Sequence, residues 1–289
     1  MSASESSNSL PLKLAAIRAN KALLYLLAGG LGGGAGSVLA EFAPGSGQRA
    51  TALALMVTMG VWSGISASVL ATALFGAGEW YQRRDVRPRK CVPVVLLGAL
   101  GGFISGATAQ AAYSVQIGSE LFHHVVVRTV CWGLMGALLG ALLSRPVPNL
   151  GWWRGLIAGA IGGGLGGVGF LLVGAVLPDA LGRAVGLGTL GLALGLAMIV
   201  VEKLFREASL EVIWAPNETT SFNLGAQAVT IGGGEDHVFV RGLPHHFASI
   251  VFANGVIEYV ETTSGKRTPL KDGSRLEIGK LNLVIHAAK

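Results

Sequence analysis

Apolar residues run through the first two-thirds of the chain in six blocks, at about 22–40, 52–78, 92–114, 125–143, 155–177 and 184–201. Roughly 20 apolar residues carry a helix across the hydrocarbon core of a bilayer, so each block predicts a membrane span. No Asp, Glu, Lys or Arg stands in the middle of a block; Glu120 and Arg128 lie in or beside the loop before the fourth. After Ser209 the pattern changes. "LEVIW", "SFNL", "AVTI", "HVFV", "FASIVF", "VIEYVE", "RLEI" and "LNLVI" are short, β-branched and mostly alternating. Between them stand Pro216-Asn217, Gly232-Gly233-Gly234, Asn254-Gly255, Ser264-Gly265, Asp272-Gly273 and Gly279-Lys280. Short strands with such turns predict an all-β sandwich, and Asn254-Gly255 predicts a two-residue hairpin, whose turn positions need positive φ. The expected organisation is a tail over 1–21, an all-α six-helix transmembrane bundle over 22–208 and a β-sandwich over 209–289.

The apolar blocks repeat one another. "LLAGGLGGGAG" (26–36) lines up with "LLGALGGFISG" (96–106) and "LIAGAIGGGLGG" (156–167), and "RTVCWGLMGALLG" (128–140) with "RAVGLGTLGLALG" (183–195). "GVWSGISAS" (60–68) matches the latter pair loosely. These echoes predict three tandem helical hairpins in parallel orientation. Gly162, Gly164 and Gly167 spell G-x-G-x-x-G, but a dinucleotide loop needs a preceding strand, a polar turn and a following acidic residue. Here the glycines lie inside an apolar run and recur in other blocks. Gly29/Gly33, Gly98/Gly102 and Gly159/Gly163, with Gly136, Gly140, Gly191 and Gly195 on the returning spans, are small-xxx-small positions. In lipid, helices associate through close van der Waals contact, which glycine permits. The glycines are therefore expected to pack helices, and the same faces would allow a homo-oligomer.

The chain has 13% charged residues and a formal net charge of +6, against about 25% charge in an ordinary soluble domain. Lys13, Arg18, Lys21, Arg83, Arg84, Arg87, Arg89, Lys90, Arg145, Arg154, Lys203 and Arg206 fall on one side of the predicted spans, and Arg49, Arg128 and Arg183 on the other. The positive-inside rule then puts both termini and the β-sandwich in the cytoplasm of a multi-pass inner-membrane protein. Trp80 with Tyr81, and Trp152 with Trp153, stand where spans meet these loops, as interface anchors do. Basic loops suit anionic lipid headgroups. Residues 209–289 hold 7 Lys/Arg against 8 Asp/Glu, which argues against nucleic acid.

The segments "LEVI", "VTIGG", "HHFASI", "IEYVE" and "LKDGSRLEIGKLNLVI" together resemble a forkhead-associated domain, a β-sandwich whose usual role is to bind phosphothreonine peptides. The bundle with its trailing "VEKLFREASLEVI" also resembles a group of bacterial multi-pass proteins that end in such a domain. The departures carry the functional reading. Gly233 stands where the family has a peptide-contacting Arg, Pro244 where it has the phosphate-binding Ser, and Phe247 where it has the His that braces the site. "SGKRTPL" replaces the Asn-Gly-Thr loop. A phosphate site depends on charge-assisted donors, and Pro244 offers neither hydroxyl nor amide hydrogen. Arg241, Lys266 and Arg267 are the basic residues left for a partner-binding patch.

No spacing predicts an enzyme, a metal or a cofactor. Cys91 and Cys131 fall near opposite ends of neighbouring spans and read as packing residues. His123-His124 occupies an outer loop, His245-His246 an exposed loop, and His286 stands apart. Thr108 and Gln110 read as hydrogen-bonding partners between helices. The function this pattern favours is a non-enzymatic membrane scaffold that presents a degenerate forkhead-associated domain to cytoplasmic protein partners. Two further readings stand beside it: a small-solute pore or transporter regulated by the sandwich, and a phosphopeptide reader with an altered site.

Overall fold

The computed structural model describes residue 14 and residues 16–287 apart from 46–50, 116–117, 146, 216–217, 254 and 280. Lys13, Arg49, Pro216-Asn217, Asn254 and Lys280, used in the charge and turn arguments, lie outside them.

Six helices are long and apolar enough to cross a membrane: α1 (Lys21–Ala40), α2 (Ala52–Tyr81), α3 (Pro88–Ser114), α4 (Glu120–Leu143), α5 (Trp152–Gly174) and α6 (Asp179–Leu204). Most run past their apolar blocks, because side-chain caps and proline set the ends rather than hydropathy. The Asn20 side chain accepts the Leu23 N–H at 3.1 Å to start α1, and the Thr51 hydroxyl accepts that of Ala54 at 3.2 Å to start α2. Pro88 opens α3, a position where its missing N–H has no helical partner to lose. α4 passes through a π-helical stretch, His123–Val127. α5 ends earlier than its block, at Gly174.

The outgoing helices α1, α3 and α5 each use two glycine faces. One face meets the returning helix of another hairpin. Gly29 and Gly33 lie against Gly191 and Leu187 of α6, Gly98 and Gly102 against Ser68 and Gly64 of α2, and Gly159 and Gly163 against Gly136 and Trp132 of α4. From the other side, a Cβ on Gly140 would sit 2.8 Å from the Gly159 Cα, and one on Gly195 would sit 2.6 Å from the Tyr25 carbonyl oxygen. The second face, one turn on, meets the helix's own return: Gly32 and Gly36 face Ala73 and Ser66 of α2, and Gly162 and Gly166 face Leu194 and Leu190 of α6. The contact of α1 with α6 closes the six helices into a ring. The G-x-G-x-x-G run lies inside helix α5.

The returning helices fill the centre. Leu70 and Leu74 of α2, Met135 and Leu139 of α4, and Leu190 and Leu194 of α6 are almost wholly buried in one cluster. The third face of each outgoing helix is open, with Leu31, Leu96, Leu100, Ile161 and Leu165 exposed, as a lipid-facing surface requires. At the end opposite the sandwich, Arg183 donates to both Glu41 oxygens, at 2.6 and 2.8 Å, fastening the end of α1 to the start of α6. Cys91 and Cys131 are free.

The C-terminal region forms two sheets. One has strand order β2-β1-β9-β8, built from β1 (Ala208–Ala215), β2 (Glu218–Leu224), β8 (Arg275–Ile278) and β9 (Leu281–Ala287). The other has order β4-β3-β5-β6-β7, from β3 (Val229–Gly232), β4 (Val238–Phe239), β5 (Ala248–Ala253), β6 (Val256–Glu261) and β7 (Arg267–Leu270). Alternate residues of both face one core that includes Leu210, Phe222, Ile231, Ile250 and Leu283. β5 and β6 pair Ala253 with Val256, and Gly255 has φ 78° in the turn between them. Within "SGKRTPL", the segment that replaces the expected Asn-Gly-Thr loop, residues 267–270 form a strand, β7, that the pattern of apolar residues did not predict. Its polar residues and Pro269 hid a strand at the sheet edge, where proline's missing N–H breaks no ladder.

Candidate functional site

The sandwich meets the bundle at the loop end that carries α2–α3 and α4–α5, through three groups of contacts. Tyr81, the last residue of α2, is buried rather than placed at the lipid interface as expected. Its hydroxyl oxygen accepts the Ser221 N–H of edge strand β2 at 2.9 Å, and its carbonyl accepts the Thr220 hydroxyl at 3.3 Å. Next to it, Arg83 pairs with Glu218 and lies 4.9 Å over the Trp214 ring. Arg18 pairs with Glu218 at 3.0 Å. An otherwise open sheet edge is thereby covered.

Asn149, in the α4–α5 loop, has φ 59°, a left-handed conformation that Asn adopts more readily than most residues. This turn aims its amide into the β2–β3 loop. Nδ2 donates to the carbonyls of Asn223 and Gln227, both at 3.0 Å, and Oδ1 accepts the Gln227 N–H at 2.8 Å. Gly225 is needed there, because a Cβ would lie 2.7 Å from the Asn149 Oδ1. Arg206, just after α6, donates to the Asn223 side chain at 2.9 Å.

The third contact joins the α2–α3 loop to the β3–β4 loop. Arg84 donates to the His237 carbonyl at 3.3 Å, and Arg87 to Glu235 at 3.1 Å. Arg84 also pairs with buried Glu79, to which Lys90 lies at 3.5 Å. The His237 Nδ1 accepts the Thr230 N–H at 3.1 Å. Burial, reinforced by the Arg84 guanidinium, pushes the His237 imidazole down to about 4, so it stays neutral at ordinary pH.

Gly233, Pro244 and Phe247 come together beside this loop. The Pro244 carbonyl accepts the Gly233 N–H at 2.9 Å, and a Cβ on Gly232 would meet that carbonyl at 2.6 Å and the Phe247 nitrogen at 2.9 Å. The Gly233 N–H is thus engaged within the loop. Behind these residues lies Asp236, whose side chain is fully buried while His245 and His246 keep 56% and 58% of theirs in solvent. Of the basic residues, Arg241 is in the turn after β4, Lys266 precedes β7, and Arg267 starts β7 and donates to Glu258 of β6 at 3.3 Å. All three are exposed.

Asp236, Tyr81, Asn149 and Gly225 escaped the sequence reading. Tyr81 looked like an interface aromatic, and no linear spacing links residue 149 to 225 or residue 236 to 245. One local signal existed: three glycines before Asp236 mark a place where backbone and side chains approach closely. Comparison with protein-family models, with curated proteins and with solved structures gives no match for this chain.

Proposed function

We propose that the chain is a non-enzymatic integral membrane scaffold that holds a degenerate forkhead-associated sandwich at the cytoplasmic face and presents it to protein partners without phosphothreonine recognition. The observation that carries this reading is the junction. Tyr81, Asn149 and Arg84 fasten the sandwich by the β2 edge and by two loops, so its position is set by the bundle rather than by a free linker. The other ends of the two sheets, at β7 and β8, are left for a partner. Leucines packed into the centre of the bundle support a base rather than a conduit. The similar glycine faces of α1, α3 and α5 support three tandem hairpins related by an internal repeat. The basic loops share the sandwich's end of the bundle, which supports a cytoplasmic placement for both and contact with anionic headgroups.

The test is affinity capture with the full-length chain in detergent, from lysate treated or not treated with phosphatase. Partners retained after dephosphorylation are the expected result. Loss on dephosphorylation would make the chain a phosphopeptide reader, and Arg241, Lys266 and Arg267 would then be replaced one at a time. The chain reconstituted in vesicles should give no solute flux above empty vesicles; flux would favour the transporter reading.

A further inference from the structure

We propose that Asp236, His245 and His246 form a zinc site at the loop end of the sandwich; the proposal is independent of the scaffold reading. It starts from the backbone. In an extended strand neighbouring side chains point to opposite faces, so two successive histidines do not ordinarily converge. Here His245 is held by a parallel bridge to Gly233, and His246 has φ 52°. Such a left-handed residue other than glycine is strained and marks a constraint imposed by its surroundings. It swings the second imidazole back onto the first, with ring centroids 4.0 Å apart. Both Nδ1 atoms then face one carboxylate: His245 Nδ1 is 3.2 Å from Asp236 Oδ2, and His246 Nδ1 is 2.5 Å from Oδ1.

The carboxylate is built into the loop. Oδ2 also accepts the His246 N–H at 2.8 Å. Oδ1 is buried and accepts no hydrogen bond among the described residues; its contact is the His246 Nδ1 at 2.5 Å, an ion pair only when that imidazole is protonated. A buried, incompletely partnered carboxylate is costly unless a cation compensates it. The glycine run makes the room: a Cβ on Gly232 would lie 2.6 Å from the Asp236 Oδ2, and Gly234 takes the left-handed φ of 73° that brings the chain under the His245 ring.

Two imidazoles and one carboxylate are a donor set for zinc, with the fourth tetrahedral position left to water. The three ligand atoms lie within 4.8 Å of one another. Tetrahedral zinc bonds of about 2.0–2.2 Å set ligand atoms about 3.3–3.6 Å apart, so the two exposed imidazoles must rotate to bring the widest pair closer and to open the His246–Asp236 contact of 2.5 Å. The neighbouring Glu235 and His237 are already tied to Arg87 and Arg84, so metal here would stiffen the loop that docks on the bundle.

The experiment uses the full-length chain in detergent, stripped with a chelator, then titrated with zinc chloride and measured for retained metal after gel filtration. One zinc per chain is expected in the wild type and in His286→Ala, whose imidazole pairs with Glu211 elsewhere on the sandwich. His245→Ala and His246→Ala alter exposed side chains and leave the core intact. Each should weaken zinc by more than the roughly 10–100-fold that loss of an outer-shell partner causes, and Asp236→Asn should do the same. Cobalt in place of zinc should give the visible absorption of a tetrahedral site in the wild type and lose it in the variants. Wild type retaining no more zinc than a chain carrying both His245→Ala and His246→Ala, or that double variant retaining one equivalent, would overturn the proposal.

Discussion

Two glycines five residues apart on α5 separate packing from propensity. A Cβ on Gly159 would enter the Gly136 carbonyl oxygen, whereas nothing lies within 4 Å of the position a Cβ would take on Gly164. Gly159→Ala should destabilise the bundle by about 1–3 kcal/mol, the usual cost of overpacking. Gly164→Ala should be neutral or slightly stabilising, since alanine is the better helix residue by about 1 kcal/mol. Thermal unfolding in detergent reads both. Glu41 gives a pH prediction at the same scale. The hydrogen bond from Arg183 holds its carboxyl below the usual carboxylate range near 4.5. The folded group is therefore the stronger acid, so its contribution is complete above that range and lost as pH falls through the lowered value. Acidification below about 4.5 should destabilise the wild type more than Glu41→Gln. Equal acid sensitivity in the two would show that the pair contributes nothing.

At the scale of elements, the question is how a strand edge and a loop stay on the helix ends. Tyr81→Phe leaves the half-buried Ser221 N–H without its acceptor, a loss of about 1 kcal/mol. Hydrogen exchange should quicken in β2 and stay slow in β9, which pairs on the far side of β1. Asn149→Ala removes three hydrogen bonds, one to the end of β2 and two to the β2–β3 loop, and the residue best suited to the left-handed turn. Gly225→Ala pushes the same contact apart from the other side. Because both act on one contact, their effects should fall short of additivity in a double-mutant cycle; full additivity would mean that Asn149 and Gly225 act separately. Strands with clean alternation, such as "LEVIW" and "LNLVI", were legible because burial on one face imposes a period of two. β7 was not, because an edge strand is free to be polar and to carry proline. Tyr81 was misread because an aromatic at a span end has the same local sequence whether it faces lipid or a docked domain.

For the whole molecule, the decisive contact is between the first and last helices. Cysteines placed at Gly34 and Ala184, in a chain with Cys91 and Cys131 replaced by Ala, should oxidise to a crosslink at monomer mass. A Cβ on Gly34 would lie 3.5 Å from the Ala184 carbonyl oxygen. A product at dimer mass would mean that α1 packs on a second copy instead. The sequence by itself determined that six apolar helices precede a β region, because span length and strand period follow from burying backbone hydrogen bonds in lipid and alternate side chains in a core. It also marked the glycine faces, because only close backbone approach explains glycine at such spacing in an apolar run. Tertiary structure alone decided which helix each face meets, since a glycine face is equally complementary to any other small-residue face. It alone decided that Asp236 lies beneath two histidines, because a single left-handed residue redirects His246, and no pattern of residue types encodes that direction.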